Sequence, residues 1–325
     1  MKTILIMVAR VFLVAMICIS ANYSFSELIL VPDQKPTIQA AVDSASNGDV
    51  IYVRLGPYLE SVNVFGFASL TIKAEGGVIV NPPNGKTAGF HVMSDGVTID
   101  GFEIAGTDIG IRFEGSFNVF SNNYIHDVTE AGIGLWDFNG GSNYNVIRKN
   151  VIEDVDITAI LLHGPYGPGG AGNGLNTGNI VIENKIRFAR QGGISIANAE
   201  NTTIVHNTLN YIGNGGIDLS SQQSDNESNY NTIAHNLIDG VHTSELQPSA
   251  GIALGGRGYC VQNNIHHNEI KNITNADINR GSYGILLGDS VKENLIHHNI
   301  VVICFGLDPY WNTGLKNRDY KNSWN

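Results

Sequence analysis

The sequence predicts an all-β fold, a parallel β-solenoid with three short strands in each coil and about eight coils. A two-part phrase recurs along the chain: an Asn, a spacer and an aliphatic residue, and then a Gly-Ile-x-Leu strand. The segments between bends are too short, and too rich in Gly and Asn, for helices with a 3.6-residue period. Apolar and polar residues alternate within each segment, as they do in the short strands of a stacked repeat.

The phrase is found over most of the chain at an irregular period. Its first half occurs at Asn123–Ile125, Asn150–Ile152, Asn184–Ile186, Asn207–Leu209, Asn236–Ile238, Asn268–Ile270 and Asn299–Val301. Its second half occurs at Gly110–Phe113, Gly132–Leu135, Ala159–Leu162, Gly193–Ile196, Gly216–Leu219, Gly251–Leu254 and Gly284–Leu287. Successive asparagines are 27, 34, 23, 29, 32 and 31 residues apart, so loops of variable length separate constant strands.

Asparagine is the expected corner residue of each coil. It tolerates the left-handed backbone that a tight bend demands. Stacked Asn side chains can also hydrogen-bond along a column, as in cross-β ladders. We therefore predict a ladder of asparagines along one corner of the solenoid.

The N-terminal segment, residues 1–26, has the pattern of an export signal. Lys2 supplies a positive start, an apolar stretch follows that only Arg10 interrupts, and small residues lead up to Ser26. The uninterrupted apolar part is too short to span a bilayer comfortably. We expect a secreted, periplasmic or cell-surface protein with no membrane span after signal cleavage.

The rest of the chain divides into three parts. Residues 27–88 are predicted to form an N-terminal cap and the first strands, and residues 89–303 the β-helix repeats. Residues 304–325 hold no further copy of the phrase, and we expect a C-terminal cap or tail that covers the open edge of the sheets.

The three-strand coil, the Asn corner and the irregular period resemble the right-handed parallel β-helix proteins of the pectate lyase-like superfamily. The segment VPDQKPTIQAAVDSASNGDVIYV is similar to their N-terminal cap, in which Thr37–Ala45 would form a short capping helix. Members often continue with a Pro-Gly-Thr-Tyr type turn and a Glu, where this chain has Leu55-Gly56-Pro57-Tyr58-Leu59-Glu60. The resemblance covers nearly all of residues 28–303. It implies that the Gly-Ile-x-Leu strands form the floor of a substrate cleft.

Residues that face outward from these strands are the candidate site. Because Ile and Leu point inward, the x position and the residue after Leu point out. The polar and aromatic members of these two columns are Arg112, Glu114, Trp136, His163 and Asp218, with Tyr166 and Arg257 on adjacent loops. An unremarkable polar surface is the alternative interpretation of the same residues.

The most concrete chemistry for this set is that of a uronan lyase or C5-epimerase. Such an enzyme needs a base, a cation for the substrate carboxylate, and an acid near the glycosidic oxygen. His163 or Tyr166 would be base or acid, and Arg112 or Arg257 would hold the carboxylate. Trp136 would stack on a sugar, and Glu114 and Asp218 would bind substrate.

One motif comparison bears on His163. Mannuronan epimerases carry Asp-Pro-His on such a strand, and the segment AILLH places His163 at the position of the motif's His. Leu161 and Leu162 stand where the Asp and Pro would be, so His163 alone transfers as a candidate.

Charge bears on the partner and the cofactor. The chain has 30 acidic and 19 basic residues, a net charge of −11, which argues against a nucleic-acid partner. An acidic polysaccharide would be repelled, so a bound Ca²⁺ is the cofactor expected for that substrate. Its candidate ligands are Asp218, Glu114, Asp137 and Asp108.

We accordingly predict an exported, monomeric protein that binds or processes polysaccharide, and the sequence leaves open whether it is an enzyme. A non-catalytic surface or structural solenoid is the main alternative. A third possibility is the handling of copper or zinc through a histidine column, because His206, His235, His267 and His298 each precede a corner Asn. His266 and His297 lie one position earlier. Stacked neutral rings beside the Asn ladder would explain the column without a metal.

Overall fold

Successive coils of the chain add strands to three parallel sheets, so the sequence winds into a parallel β-helix. The computed structural model describes residues 26–83, 88–136, 141–164, 175–221, 227–243, 248–276, 281–302 and 308–324. Within these ranges the strand pairings are parallel and join equivalent strands of successive coils. The predicted parallel β-helix is confirmed, but one sheet gains one strand per coil and has twelve strands, so the coils outnumber the eight that the sequence predicted.

Sheet 1 has twelve strands: Leu28–Val31, Val50–Val53, Leu70–Ala74, Val97–Asp100, Val119–Ser121, Val146–Arg148, Ile180–Ile182, Thr203–Val205, Thr232–Ala234, Asn264–His266, Leu295–His297 and Arg318–Tyr320. Sheet 2 contains Ile79–Val80, Val151–Val155, Lys185–Ala189, Thr208–Ile212, Leu237–Thr243, Glu269–Asn275, Ile300–Val302 and Ser323–Trp324. Sheet 3 contains Val62–Phe65, Ala88–Met93, Thr158–His163, Gly192–Ala197, Gly215–Ser221, Ser249–Gly256, Ser282–Leu287 and Asp308–Asn312. Two long strands continue through the bend between sheets 2 and 3 and pair in both sheets: Glu103–Glu114 and Tyr124–Trp136. A short sheet 4, between sheets 3 and 1, contains Asn176–Thr177, Ala199–Glu200, Glu227–Asn229, Tyr259–Val261 and Val291–Lys292.

Columns of identical aliphatic residues fill the interior. In sheet 1, Ile204, Ile233 and Ile265 are register partners on successive coils, and all three side chains are fully buried. Burial of each such side chain stabilises the fold by roughly 1.5–3 kcal/mol. The core is therefore one continuous apolar column along the axis of the helix.

The predicted Asn ladder lies at the corner between sheets 1 and 2. Asn207 Oδ1 accepts hydrogen bonds from the backbone N–H and the side-chain amide of Asn184, at 2.9 and 3.0 Å. The Asn207 amide donates in turn to Asn236 Oδ1, at 3.0 Å. The left-handed residue, however, is the one before each Asn, so the asparagines serve the ladder rather than the bend. The residues with positive φ at this corner are Asn122, Lys149, Glu183, His206, His235, His267, His298 and Lys321.

A second Asn ladder, which the repeat phrase does not reveal, lies at the corner before sheet 1. Asn145 donates from its backbone N–H and side-chain amide to Asn179 Oδ1, at 2.8 and 3.0 Å. Thr202 takes the position of one asparagine and interrupts the series. The other members are Asn118, Asn231, Asn263, Asn294 and Asn317.

The N-terminal helix α1, Ile38–Ser44, forms within the predicted segment. Thr37 is its N-cap, and the Thr37 hydroxyl accepts a hydrogen bond from the backbone N–H three residues on, at 3.0 Å. The Glu60 carboxylate accepts hydrogen bonds from the first two N–H groups of the helix, at 2.9 and 3.0 Å. Glu60 follows the turn at residues 55–59, which stands in place of the Pro-Gly-Thr-Tyr type turn of the resembled proteins. Its carboxylate holds α1 against the end of the solenoid.

The C-terminal residues differ from the sequence-based expectation. Residues 308–324 form another coil, which adds strands to sheets 3, 1 and 2 in order. This coil was not predicted because it is short and lacks a clear copy of the repeat phrase. Its residues Asn317 and Asn322 still extend the two Asn ladders. Tyr310 and Trp324 stack at 5.1 Å between ring centroids and pack against the core.

Cys260 is a buried free thiol, and burial raises its pKa to about 12; Cys304 lies outside the described residues. No helix in the described ranges is long and apolar enough to cross a membrane.

Candidate functional site

The outer face of sheet 3 carries the two columns that the sequence predicts. Leu161, Ser195 and Asp218 are register partners on successive coils, and Trp136, His163 and Ala197 form the neighbouring column. Connections longer than a tight turn leave this sheet at His163 and Ser221 and enter it at Ser249.

His163, Ser195 and Asp218 form a polar chain across three coils. His163 Nε2 lies 2.9 Å from Ser195 Oγ, on the next coil and diagonally across the sheet. Ser195 Oγ donates a long hydrogen bond of 3.5 Å to Asp218 Oδ2. Ser195 and Asp218 line a hollow of about 350 Å³, whereas His163 is buried behind them.

Burial shifts both ends of this chain toward the neutral form. It raises the pKa of Asp218 to about 6, although hydrogen bonds from Ser195 and Ser220 act in the opposite direction. It lowers the pKa of His163 to about 4. A carboxyl that titrates near neutrality beside a neutral imidazole can donate or accept a proton at physiological pH.

Arg112 and Glu114 lie at the N-terminal side of the same face. Arg112 Nη2 is 3.6 Å from Glu114 Oε1, and Arg112 lies beside His91 on the preceding coil. Burial, and then the charge of Arg112, lower the pKa of His91. Within the described residues, Arg112 Nε and His91 Nε2 are buried without a hydrogen-bond partner. Gly134 separates this pair from Leu161 in the column, so Arg112 does not meet Asp218.

The remaining candidates do not converge on one point. Asp108 lies at the bend between sheets 2 and 3, where its carboxylate accepts a hydrogen bond from Thr129 at 2.7 Å. Arg257 is exposed at the turn between sheets 3 and 4, and its N–H donates to the Ser221 carbonyl. Asp137, Tyr166 and the Trp136 side chain lie outside the described residues. Among the described acids, Asp108, Glu114 and Asp218 form no cluster that could hold Ca²⁺.

A larger groove lies along the bend between sheets 2 and 3, with a volume of about 700 Å³. No site was predicted there, although the sequence contains a signal for it. The residues four and six positions after each corner Asn line the groove, and the first of each pair has a left-handed backbone that directs its side chain outward. The principal lining residues are Asp127, Asp154, Asp156, Phe188, Arg190, Tyr211 and His242.

An aromatic pair forms one wall of this groove. Phe188 and Tyr211 stack at 5.3 Å with 9° between their planes, and they are 47% and 60% exposed. The next residue of the column is Gly240, where a Cβ would lie 3.8 Å from Tyr211 Cδ1. Because Gly240 has no side chain, the outer face of Tyr211 is not covered by its column neighbour.

The charged groups of the groove are mostly acidic. Arg190 Nε lies 3.2 Å from Asp156 Oδ1, so the one arginine of the lining is already paired. Asp154 is exposed, and Asp127 contacts His126 at 2.8 Å. These carboxylates are available to accept hydrogen bonds from a ligand's hydroxyl groups.

The histidine column forms as predicted at the corner between sheets 1 and 2. His206, His235, His267 and His298 stack with centroid spacings of 5.0, 5.0 and 4.8 Å. A second stack, His266 and His297, lies nearly perpendicular to the first.

Comparison with known proteins identifies the handedness and the class of the fold. Residues 79–233 match a family model described as "Right handed beta helix region". An alginate lyase from Paenibacillus superposes with a TM-score of 0.54 at 14% identity, covering 90% of this chain and 99% of that one. A lacto-N-biosidase from Eubacterium ramulus gives 0.54 at 12% identity, covering 91% and 67%. The chain has the right-handed parallel β-helix fold.

A relative by sequence is a cell surface glycoprotein from Methanothermus fervidus. It is 27% identical over 298 residues, which cover 82% of this chain. The chain spans less than half the length of that relative, 46%.

Proposed function

We propose that the chain is an exported, surface-associated β-helix protein that binds a polysaccharide in the groove between sheets 2 and 3. One observation carries the proposal: the Phe188–Tyr211 stack leaves a ring face open beside Gly240, in a groove lined with carboxylates. Concave sites with an apolar surface and a few polar groups are the usual form of ligand sites. The apolar face of a pyranose fits an exposed aromatic ring.

The charge of the groove selects the class of polysaccharide. Three aspartates face one arginine that is paired with Asp156, so a uronic acid chain would meet net repulsion. Hydroxyl groups of a neutral chain can donate to these carboxylates instead. We therefore propose a neutral polysaccharide as ligand. The surface glycoprotein relative supports the location, and the lacto-N-biosidase of the same fold supports a glycan as ligand.

The test is binding of the signal-free chain to a glycan array, followed by calorimetry with the best neutral oligosaccharide. Tyr211→Asn keeps the left-handed backbone and removes the ring, and we expect at least a tenfold loss of affinity, about 1.4 kcal/mol. Tyr144→Asn is the matched control, because Tyr144 also has positive φ and stacks on an aromatic neighbour, Phe117, at a different corner. Equal affinities for the two variants would contradict the proposal.

A second candidate function rests on the His163–Ser195–Asp218 chain. If the protein acts on uronans as a lyase or epimerase, Asp218 is the group that meets the substrate, because it lines the hollow of sheet 3. His163 acts through Ser195 as a positioning residue rather than as the base. Arg112 and Glu114 lie farther along the same face as binding groups, and any role for Ca²⁺ belongs with this substrate class.

This second function is tested by ultraviolet absorbance with polygalacturonate and alginate, with and without Ca²⁺. A lyase produces an unsaturated uronide, and Asp218→Asn should abolish that signal while Ser195→Ala lowers it. NMR of the recovered alginate detects epimerisation, which leaves no absorbance. If neither method detects a product, the catalytic proposal is wrong. That result does not bear on the glycan-binding proposal, which the calorimetry tests.

A further inference from the structure

The geometry points to a copper(II) site in the histidine stripe, which we define as His235, His266, His267, His297 and His298. The stripe lies at the corner between sheets 1 and 2, on a different edge of the solenoid from both grooves described above. Two groups of three histidines each bring one ring nitrogen per residue to within 4.8 Å of the others: His235, His266 and His267, and then His267, His297 and His298.

The close spacing of the nitrogens fits one geometry of metal site. His266 Nδ1 and His267 Nδ1 are 2.9 Å apart, and His297 Nδ1 and His298 Nδ1 are 2.8 Å apart. Two nitrogens bound at about 2.0 Å in perpendicular directions are separated by about 2.8 Å, whereas tetrahedral ligands are separated by about 3.3 Å. Perpendicular imidazole ligands belong to the tetragonal sites of copper(II) and nickel(II), and copper(II) has the higher affinity.

The tautomer of His297 suits ligation in the second group. His297 Nε2 lies 3.1 Å from the side-chain oxygen of Asn264, which can only accept, so this nitrogen carries the proton. The lone pair of neutral His297 is therefore on Nδ1, the atom that faces His298. Orientation of a ligating imidazole by a hydrogen bond on its other nitrogen is usual in metal sites.

The backbone explains why the rings converge. His267 and His298 have left-handed backbones, with φ of 54° for each. The residue before each of them is the last of a sheet 1 strand, so the chain turns between two consecutive histidines. The two rings consequently meet at nearly perpendicular planes, 88° and 83°. The repeat then places one such pair directly above the other.

Neighbouring charges favour the first group over the second. Lys321 occupies the position after His298 in the same column, on the next coil. Its positive charge would repel a cation bound beside His298. We therefore place the tighter copper(II) ion at His235, His266 and His267.

The experiment is a titration of the tag-free, signal-free chain with CuCl₂ at pH 7.5, followed by calorimetry and by electron paramagnetic resonance. We expect a tetragonal copper(II) spectrum with nitrogen hyperfine structure. His267→Asn removes the ligand shared by both groups, and affinity should fall by more than about 100-fold. Asparagine is the chosen replacement because it tolerates positive φ and occupies the same column naturally at Asn122.

Three further variants separate the proposal from a general effect on folding. His206→Asn is the matched control, because His206 stacks in the same column but belongs to neither group, and its copper affinity should be unchanged. His235→Asn should weaken the tighter site, and His298→Asn should leave it intact. Equal copper affinities for the wild-type chain and the His267→Asn variant would overturn the proposal, as would a spectrum without nitrogen ligands.

Discussion

At the scale of single residues, the buried His163 and the half-buried Asp218 have pKa shifts of opposite direction. Folding raises the pKa of Asp218 from an ordinary 3.8 to about 6 and lowers the pKa of His163 from 6.5 to about 4. Both shifts arise chiefly from burial, which disfavours the charged form of each group. Each group on its own therefore makes the stability of the protein depend on pH.

The two dependences have opposite signs. Between about pH 4 and 6 the folded state holds a proton on Asp218 that the unfolded chain has released, so stability falls as pH rises. Between about pH 4 and 6.5 the unfolded chain holds a proton on His163 that the folded state lacks, so stability rises with pH. In the wild-type protein the two contributions largely cancel over this range.

Single substitutions should expose each dependence. We expect the stability of Asp218→Asn to rise between pH 4 and 6.5, and that of His163→Gln to fall, each by about 1–3 kcal/mol. Denaturant unfolding at a series of pH values measures this. The double variant should show neither slope, and parallel pH profiles for the two single variants would contradict the assignment.

At the scale of elements, the two Asn ladders join consecutive coils at both ends of sheet 1. Each asparagine satisfies backbone groups of its neighbours that would otherwise be buried without partners. Thr202 breaks the ladder between Asn179 and Asn231, and its hydroxyl is buried without a partner in the described part of the chain. The second ladder therefore lacks a side-chain amide at this position.

Thr202→Asn should therefore stabilise the protein. The new amide can donate to Asn231 Oδ1, and its oxygen can accept from the backbone of Asn179, as at the other coils of the ladder. We expect a gain of about 1–2 kcal/mol in the free energy of unfolding, measured by urea denaturation. Thr203→Asn is the control, because Thr203 faces outward on a sheet 1 strand and asparagine is a poorer strand residue there. A loss of stability at position 202 comparable to that at 203 would show that the site cannot accept the ladder.

At the scale of the whole molecule, the solenoid keeps its candidate sites apart. The histidine stripe lies between sheets 1 and 2. The groove with the Phe188–Tyr211 stack lies between sheets 2 and 3, and the His163–Ser195–Asp218 chain lies on the face of sheet 3. These sites share no residue, so a substitution in one of them removes no ligand-binding group from another. Glycan binding and copper binding can accordingly be measured independently in this protein.

Most of the fold was predictable because it depends on local pattern. The Asn-x-aliphatic phrase, the Gly-Ile-x-Leu strands and the capping segment identified the first ladder, sheet 3 and helix α1. The last coil and the second ladder were missed because one is short and the other is interrupted at Thr202. The outward columns of sheet 3 were also correct, since strand alternation determines which side chains face out.

The sites were less predictable, because they depend on how neighbouring coils meet. His163 reaches past its register partner Ala197 to contact Ser195, a residue that alternation alone does not connect with it. Phe188 and Tyr211 meet because a left-handed bend directs both rings outward on adjacent coils.

By itself, then, the sequence determined the coil, its inward and outward residues, the ladder corner and the histidine column, because each follows from chain geometry within one repeat. Only the tertiary structure decided which side chains touch across coils: the polar chain at Asp218, the open face of Tyr211, and the stacking of His266 on His297. The physical reason is that inter-coil register and left-handed bends set distances between residues that lie 23 to 34 positions apart in the sequence.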